Sequence, residues 1–148
     1  MAKKVKALPG TIKAGGMEID WMAIGTATLV YMIIGFIWYS KALFFPEWSR
    51  QMVILSLGNM KMEWYAVPGM LLAGVLFSIG LSRFVISMNF RGFIKGMLAG
   101  VIAAVFYLFM ANSGKLLFAN KASLFWIDFG YQAVAAVLMG GVIGKLHK

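Results

Sequence analysis

The hydropathy of this chain alternates between long apolar runs and short charged connections. Trp21 to Ser40, Trp64 to Ser82 and Gly96 to Gly114 carry no charge, and Ala122 to Gly144 is interrupted only by Asp128. Each run is close to the roughly 20 helical residues that cross a hydrocarbon core. Inside lipid the backbone must bond to itself, so a span is either an α-helix or a strand of a closed barrel. The period-two alternation of a barrel strand is missing from these runs. The pattern predicts an all-α, polytopic membrane protein with four transmembrane helices over about residues 21–40, 65–83, 93–112 and 124–144.

The connections differ in character. Residues 1–17 hold Pro9, Gly10, Gly15 and Gly16 among scattered lysines and show no apolar period, which predicts a basic tail that is flexible or ordered by a partner, ahead of one domain over 18–148. Glu18 and Asp20 place acids beside the positive end of helix one. Lys41 to Glu63 is too long for a tight turn and too apolar for a plain loop. Pro46 suits the first turn of a helix, and Trp48, Met52 and Leu55 then share one face while Glu47, Arg50 and Gln51 lie elsewhere. That recurrence favours a short interfacial helix over a capped loop. The link Ser87 to Arg91 is short, which makes helices two and three antiparallel neighbours. Asn112, Ser113 and Gly114 are expected to end helix three, and Ser123 to cap helix four. Lys41-Ala42-Leu43-Phe44 and Lys115-Leu116-Leu117-Phe118 form a weak echo, short enough to arise by chance.

Composition agrees with the pattern: of 148 residues, 61% are hydrophobic and 13% charged, far from a soluble average. The net charge of +9 does not indicate nucleic acid, because the cations sit in the tail and between helices, where they act as orientation signals. With cytoplasmic termini, that side holds nine lysines and arginines (Lys3, Lys4, Lys6, Lys13, Arg83, Arg91, Lys95, Lys145, Lys148) against five opposite (Lys41, Arg50, Lys61, Lys115, Lys121). Multi-pass insertion in a plasma or inner membrane, both termini inside, is the expectation. Lys3, Lys4, Lys6 and Lys13 can also touch anionic headgroups or an acidic partner. The tail resembles a signal-peptide n-region, but the apolar run after it is too long and lacks a cleavage site, so it is expected to stay as an anchor.

Candidate chemistry is sparse. Without cysteine there is no disulfide or thiolate site, and the single histidine, His147, reads as a solvated tail residue. No cofactor, metal site or catalytic set is expected. Gly92, Gly96, Gly100 and Ala104 line one face of helix three at four-residue spacing, and Ala136, Gly140 and Gly144 form a matching series on helix four. Such faces let helices approach closely, where dispersion and backbone contacts drive association in lipid; a groove lined with carbonyls is the rarer use.

Asp128 is the sharpest candidate, since a carboxylate in a span must face water, a partner or the bundle interior. Tyr131 and Gln132 share its face, and the stripe can meet Trp38, Tyr39 and Ser40 at the same membrane surface. Asp128 also lies only about 7 Å into its helix, where the N-terminus favours an acid. Trp21, Trp48, Trp64 and Trp126 are placed as an interfacial belt.

Gly35-Phe36-Ile37-Trp38-Tyr39-Ser40, then Leu43-Phe44 and Trp48, resembles the end of helix one in the small membrane proteins catalogued as domain of unknown function 1761. Asp128-Phe129-Gly130-Tyr131-Gln132, followed by Met139 to Gly144, is similar to that family's last helix. The family commonly has proline where Lys41 stands here, and the basic tail before Glu18 looks like an addition. The resemblance implies a four-helix integral membrane protein and supplies no substrate or catalytic residue.

Two functional classes follow. In one, the chain is a helix-packing accessory or scaffolding subunit, with lipid, other membrane subunits or itself as partners. In the other, it is an oligomeric small-solute transporter or permeation unit with a shallow outer-side polar site. Proton-coupled transporters generally place an ionisable group at mid-membrane depth, and no such central group is present, which favours the first.

Overall fold

The computed structural model describes residues 11–14, 17–56, 66–117 and 121–147. Lys3, Lys4, Lys6, Lys61, Trp64 and Lys148 lie outside the described residues. Thr11–Ala14 (β1) and Met17–Asp20 (β2) pair as an antiparallel ribbon in register Thr11↔Asp20. Within the basic tail, expected to be flexible or ordered by a partner, these described positions are extended, as the β-branched residues Thr11, Ile12 and Ile19 favour. Lys13 stands in β1.

Six helical stretches follow: α1 (Trp21–Trp38), α2 (Phe45–Ser56), α3 (Ala66–Ser87), α4 (Phe93–Ala103), α5 (Phe109–Leu117) and α6 (Ala122–Leu146). A π-helical turn, Ala104–Leu108, joins α4 to α5. Four spans are long and apolar enough to cross a membrane: Trp21–Trp38, Val67–Ser87, Phe93–Leu116 and Ala122–Leu146. The membrane-spanning part is all-α, and α2 is the short helix between the first two spans.

Local chemistry sets the ends. The Asp20 carboxylate caps α1, accepting from the Met22 and Ala23 amides at 3.0 and 3.1 Å. Pro46 sits in the first turn of α2, and Glu47 bonds Arg50 at 2.6 Å and Gln51 at 2.8 Å. Helix three does not stop at Asn112: it continues to Leu117, because the Asn112 side chain bonds its own helix at the Leu108 carbonyl (2.8 Å) and reaches α6 beside it. Nor does Ser123 cap α6, which starts two residues earlier than such a cap implies, with Lys121 at the cap position and no side-chain cap bond. Among the described residues the two halves of the sequence echo differ in structure. Residues 41–44 form a turn, whereas Lys115 to Leu117 finish a helix.

α6 is the central element, antiparallel to α1 and to α4–α5, and half of its span is buried. Its glycine and alanine series lies against that of α4. A Cβ at Gly96 would collide with the Gly140 carbonyl, one at Gly100 with the Ala136 carbonyl, and one at Gly144 with Gly92 and Gly96. The Gly92 amide donates to the Gly144 carbonyl at 2.7 Å, and its φ of +94° is a conformation that only glycine adopts freely. Ala104 is buried at the end of this face. The faces thus pack helix on helix through backbone atoms.

α3 is held mainly to α1. Thr28 and Ser78 share a buried hydrogen bond at 3.0 Å, and the Tyr31 ring lies over Gly74. The core combines Ala27, Leu81, Val85, Ala99, Tyr131, Ala135, Met139 and Ile143.

Candidate functional site

The site lies at the end of the bundle where α1 finishes and α6 begins. Four elements contribute. Asp128, two turns into α6, is 12% exposed at its side chain. Its Oδ1 accepts from the Tyr39 hydroxyl at 2.7 Å and from Trp48 Nε1 at 3.0 Å. Its Oδ2 meets Lys115 Nζ at 2.5 Å, and that lysine is 31% exposed. Lys115 Nζ also donates to Asn112 Oδ1 at 2.8 Å, and Asn112 Nδ2 donates to Gln132 Oε1 at 2.7 Å. One continuous network therefore ties α1, α2, α5 and α6.

The hairpin between α5 and α6 makes this possible. Antiparallel helices with a short connection bring Lys115 opposite Asp128, thirteen positions later. The π turn contributes upstream. Its wider ring rotates later positions relative to an unbroken α-helix, and Phe109 packs edge-on against Phe125 and Phe129 at centroid distances of 5.4 and 5.5 Å. Asn112 and Lys115 follow on the side facing α6. On α2, the helical turn after Pro46 carries Trp48 back over the end of α1, where its ring meets Tyr39 at 5.3 Å.

The geometry separates the expected polar stripe into parts. Asp128 and Tyr39 bond directly. Gln132 turns to Asn112. The Tyr131 hydroxyl donates to the Tyr31 carbonyl at 3.3 Å rather than to Asp128, while its ring packs edge-on against Tyr39 at 5.3 Å. Trp38 donates its indole N–H to the Ile127 carbonyl at 3.0 Å, its ring lying over Gly130. Ser40 contributes through its backbone, accepting from the Leu43 and Phe45 amides at 3.1 and 3.2 Å, and so turns the chain into α2. Burial, and after it the bonded Asp128 carboxylate, raise the Tyr39 phenol far above its ordinary range.

Three members of the network were assigned other tasks from the sequence. Lys115 read as an orientation signal, Trp48 as a belt residue, and Asn112 as a helix terminator. The available signal was the solitary acid itself: a carboxylate in a span needs a counter-charge, and Lys115 is the cation just across the hairpin. His147 is also corrected. It is half-buried, and its Nε2 lies 2.9 Å from Ser82 Oγ at the opposite end of the bundle. Burial lowers its pKa, Asp20 acts in the opposite sense, and Arg91 adds to the lowering.

The family model described as Protein of unknown function (DUF1761) matches residues 22–144. The chain belongs to the DUF1761 family. The matched region takes in the four spans except Trp21, Lys145 and Leu146, together with α2 and every member of the Asp128 network, whereas the basic tail and His147 fall outside it. No curated protein and no solved structure matches this DUF1761 chain.

Proposed function

We propose that this chain is a helix-packing accessory or scaffolding subunit of a larger membrane protein complex, with the Asp128 network fastening the interfacial segment to the bundle. The observation that carries this reading is the engagement of Asp128 within its own chain: Tyr39, Trp48 and Lys115 bond both of its oxygens. A transport carboxylate must exchange partners with solute or proton. One surrounded by donors from three other elements of its own chain acts as a joint. The reading assigns no catalytic step to the chain.

A single observation favours the alternative of an oligomeric small-solute transporter. Lys115 is about one-third exposed, so a solute anion can approach the ion pair from the membrane surface. Two measurements separate these readings. Gentle detergent extraction with size analysis and mass spectrometry is expected to recover the chain in stoichiometric ratio with a different membrane protein. Recovery only as a monomer or homo-oligomer that moves a solute in liposomes, with flux lost in Asp128→Asn, overturns it.

We also place both termini on the cytoplasmic side of a plasma or inner membrane. The engagement of Lys115 with Asp128 removes one of the five cations at the opposite end from the orientation count, which strengthens the bias toward the terminal side. Because the native chain has no cysteine, single cysteines at Ala2 and Lys41 test this directly. Labelling of the Ala2 position by an impermeant reagent in intact cells reverses the assignment.

A further inference from the structure

α4 is drawn tightly to α6 by glycines, and α3 to α1 by Thr28, Ser78 and Gly74. The two helices between them, α3 and α4, are consequently left in sparse contact with each other. A groove of about 480 Å³ opens between them, walled by Leu76, Phe77 and Phe84 on one side and by Ile102, Phe106 and Tyr107 on the other, with Gly80 and Ala103 keeping it deep. The π turn sets its inner end by presenting Phe106 and Tyr107, which are 70% and 79% exposed.

Length and lining indicate what fits. From Phe84 to Leu76 the groove follows eight residues of helix, about 12 Å at 1.5 Å per residue. One leaflet of a roughly 30 Å core is about 15 Å deep. The side chains that wall it are apolar along that whole length. The groove therefore suits an extended hydrocarbon chain lying within one leaflet.

Charge at the outer end narrows the class further. Arg83 lies seven residues from Leu76 and three from Gly80, on the groove face of α3. Lys95 lies seven residues before Ile102, on the groove face of α4. Both come from the ends of their helices nearest the 88–92 link, so they sit at similar depth on either side of the mouth. Among the described residues neither has an ion-pair partner.

We propose that the α3–α4 groove is a binding site for an anionic phospholipid, with one acyl chain against Gly80 and Ala103 and the phosphate between Arg83 and Lys95. The two cations supply the charge preference, and the groove fixes where the chain lies.

The test uses the full chain in phosphatidylcholine vesicles with a trace of photoactivatable lipid bearing a diazirine near the acyl terminus, as either phosphatidylglycerol or phosphatidylcholine. Adduct mapping by mass spectrometry is expected to place the phosphatidylglycerol probe on residues 76–84 and 102–107. The expected excess over the phosphatidylcholine probe is roughly thirtyfold, the size that two near-surface cations at about 1 kcal/mol each supply. Arg83→Gln with Lys95→Gln should bring the anionic probe down to the level of the zwitterionic one. Gly80→Phe enters open space, since a Cβ there meets nothing within 4 Å, and should remove labelling of the groove by both probes in a protein that still elutes as one species. Equal labelling of the native chain by the two probes overturns the proposal. So does labelling of the exposed α1 face as strong as that of the groove, or cross-links through the groove to a second copy.

Discussion

At the end of the bundle that carries the 88–92 link and the C-terminus, α4 and α6 meet through Gly92, Gly96, Gly140 and Gly144. At the opposite end the same hairpin is tied by Lys115, Asp128, Asn112 and Gln132. The first contact works because side chains are missing and dispersion acts over short distances. The second works because side chains satisfy each other's charge and hydrogen-bonding capacity. Lipid sets both solutions, since burying apolar surface gives no net gain between helices there and an unpaired polar group is costly. The glycine end tolerates no added volume, whereas the polar end tolerates no missing partner.

Gly96→Leu should give the largest effect, because the branched side chain would have to occupy the Gly140 carbonyl position and backbone has no rotamer with which to yield. A loss of more than about 3 kcal/mol is expected, beyond the usual range for overpacked cores. Thermal unfolding in detergent and loss of a monodisperse elution peak are the readouts. A Tm within a few degrees of native would show that α4 and α6 do not pack as described.

Lys115→Met is expected to come next, at about 3 kcal/mol, because it leaves Asp128 without its counter-charge. Asp128→Asn should cost clearly less. The amide can still accept from Tyr39 and Trp48, and the freed Lys115, already partly exposed, can extend to the headgroups. Equal losses for the two variants would argue against a buried acid with a mobile counter-ion. Tyr39→Phe is smaller again, about 1.5 kcal/mol for one hydrogen bond to a charged acceptor. It should also loosen α2, which limited proteolysis within 45–56 would detect. Unchanged cleavage would detach α2 from the role given to the network.

The contrast between the two ends also explains what could be read in advance. Hydropathy places the four spans, and four-residue spacing in Gly92, Gly96, Gly100 and Ala104 identifies a packing face, because both are periodic properties of a single helix. Glycine packing needs no knowledge of the partner beyond a matching series, and Ala136, Gly140 and Gly144 provide it. The polar end is different in kind. That Lys115, Asn112 and Trp48 join Asp128 depends on a continuation of helix three past Asn112 and on a π turn at Ala104–Leu108. Neither is marked by a proline or glycine inside the turn, and Asn112-Ser113-Gly114 signals a stop. The Asp128–Tyr39 contact was legible because both residues fall at the same predicted membrane surface. The direction of Tyr131 was not, since its i+3 spacing from Asp128 fits a side chain turned toward either the carboxylate or α1.

The smallest expected effect tests whether the glycine end has any charge dependence of its own. His147 is its one titratable side chain bonded to a spanning helix among the described residues, with Ser82 as partner and Asp20 and Arg91 as the charged groups acting on it. Burial lowers its pKa, so the folded state favours the neutral ring while the unfolded chain takes up a proton near pH 6.5. The unfolded state then binds more protons in the window below that value, and stability must fall as pH drops through it. Above about pH 7 the contribution is fully present. Unfolding followed from pH 8 down to pH 5 should show a modest decline in Tm that is absent in His147→Gln. Loss of that decline in Ser82→Ala would trace the burial to this contact. A stability that rises on acidification would mean that Asp20 outweighs burial and Arg91, with the imidazolium as the bonded form.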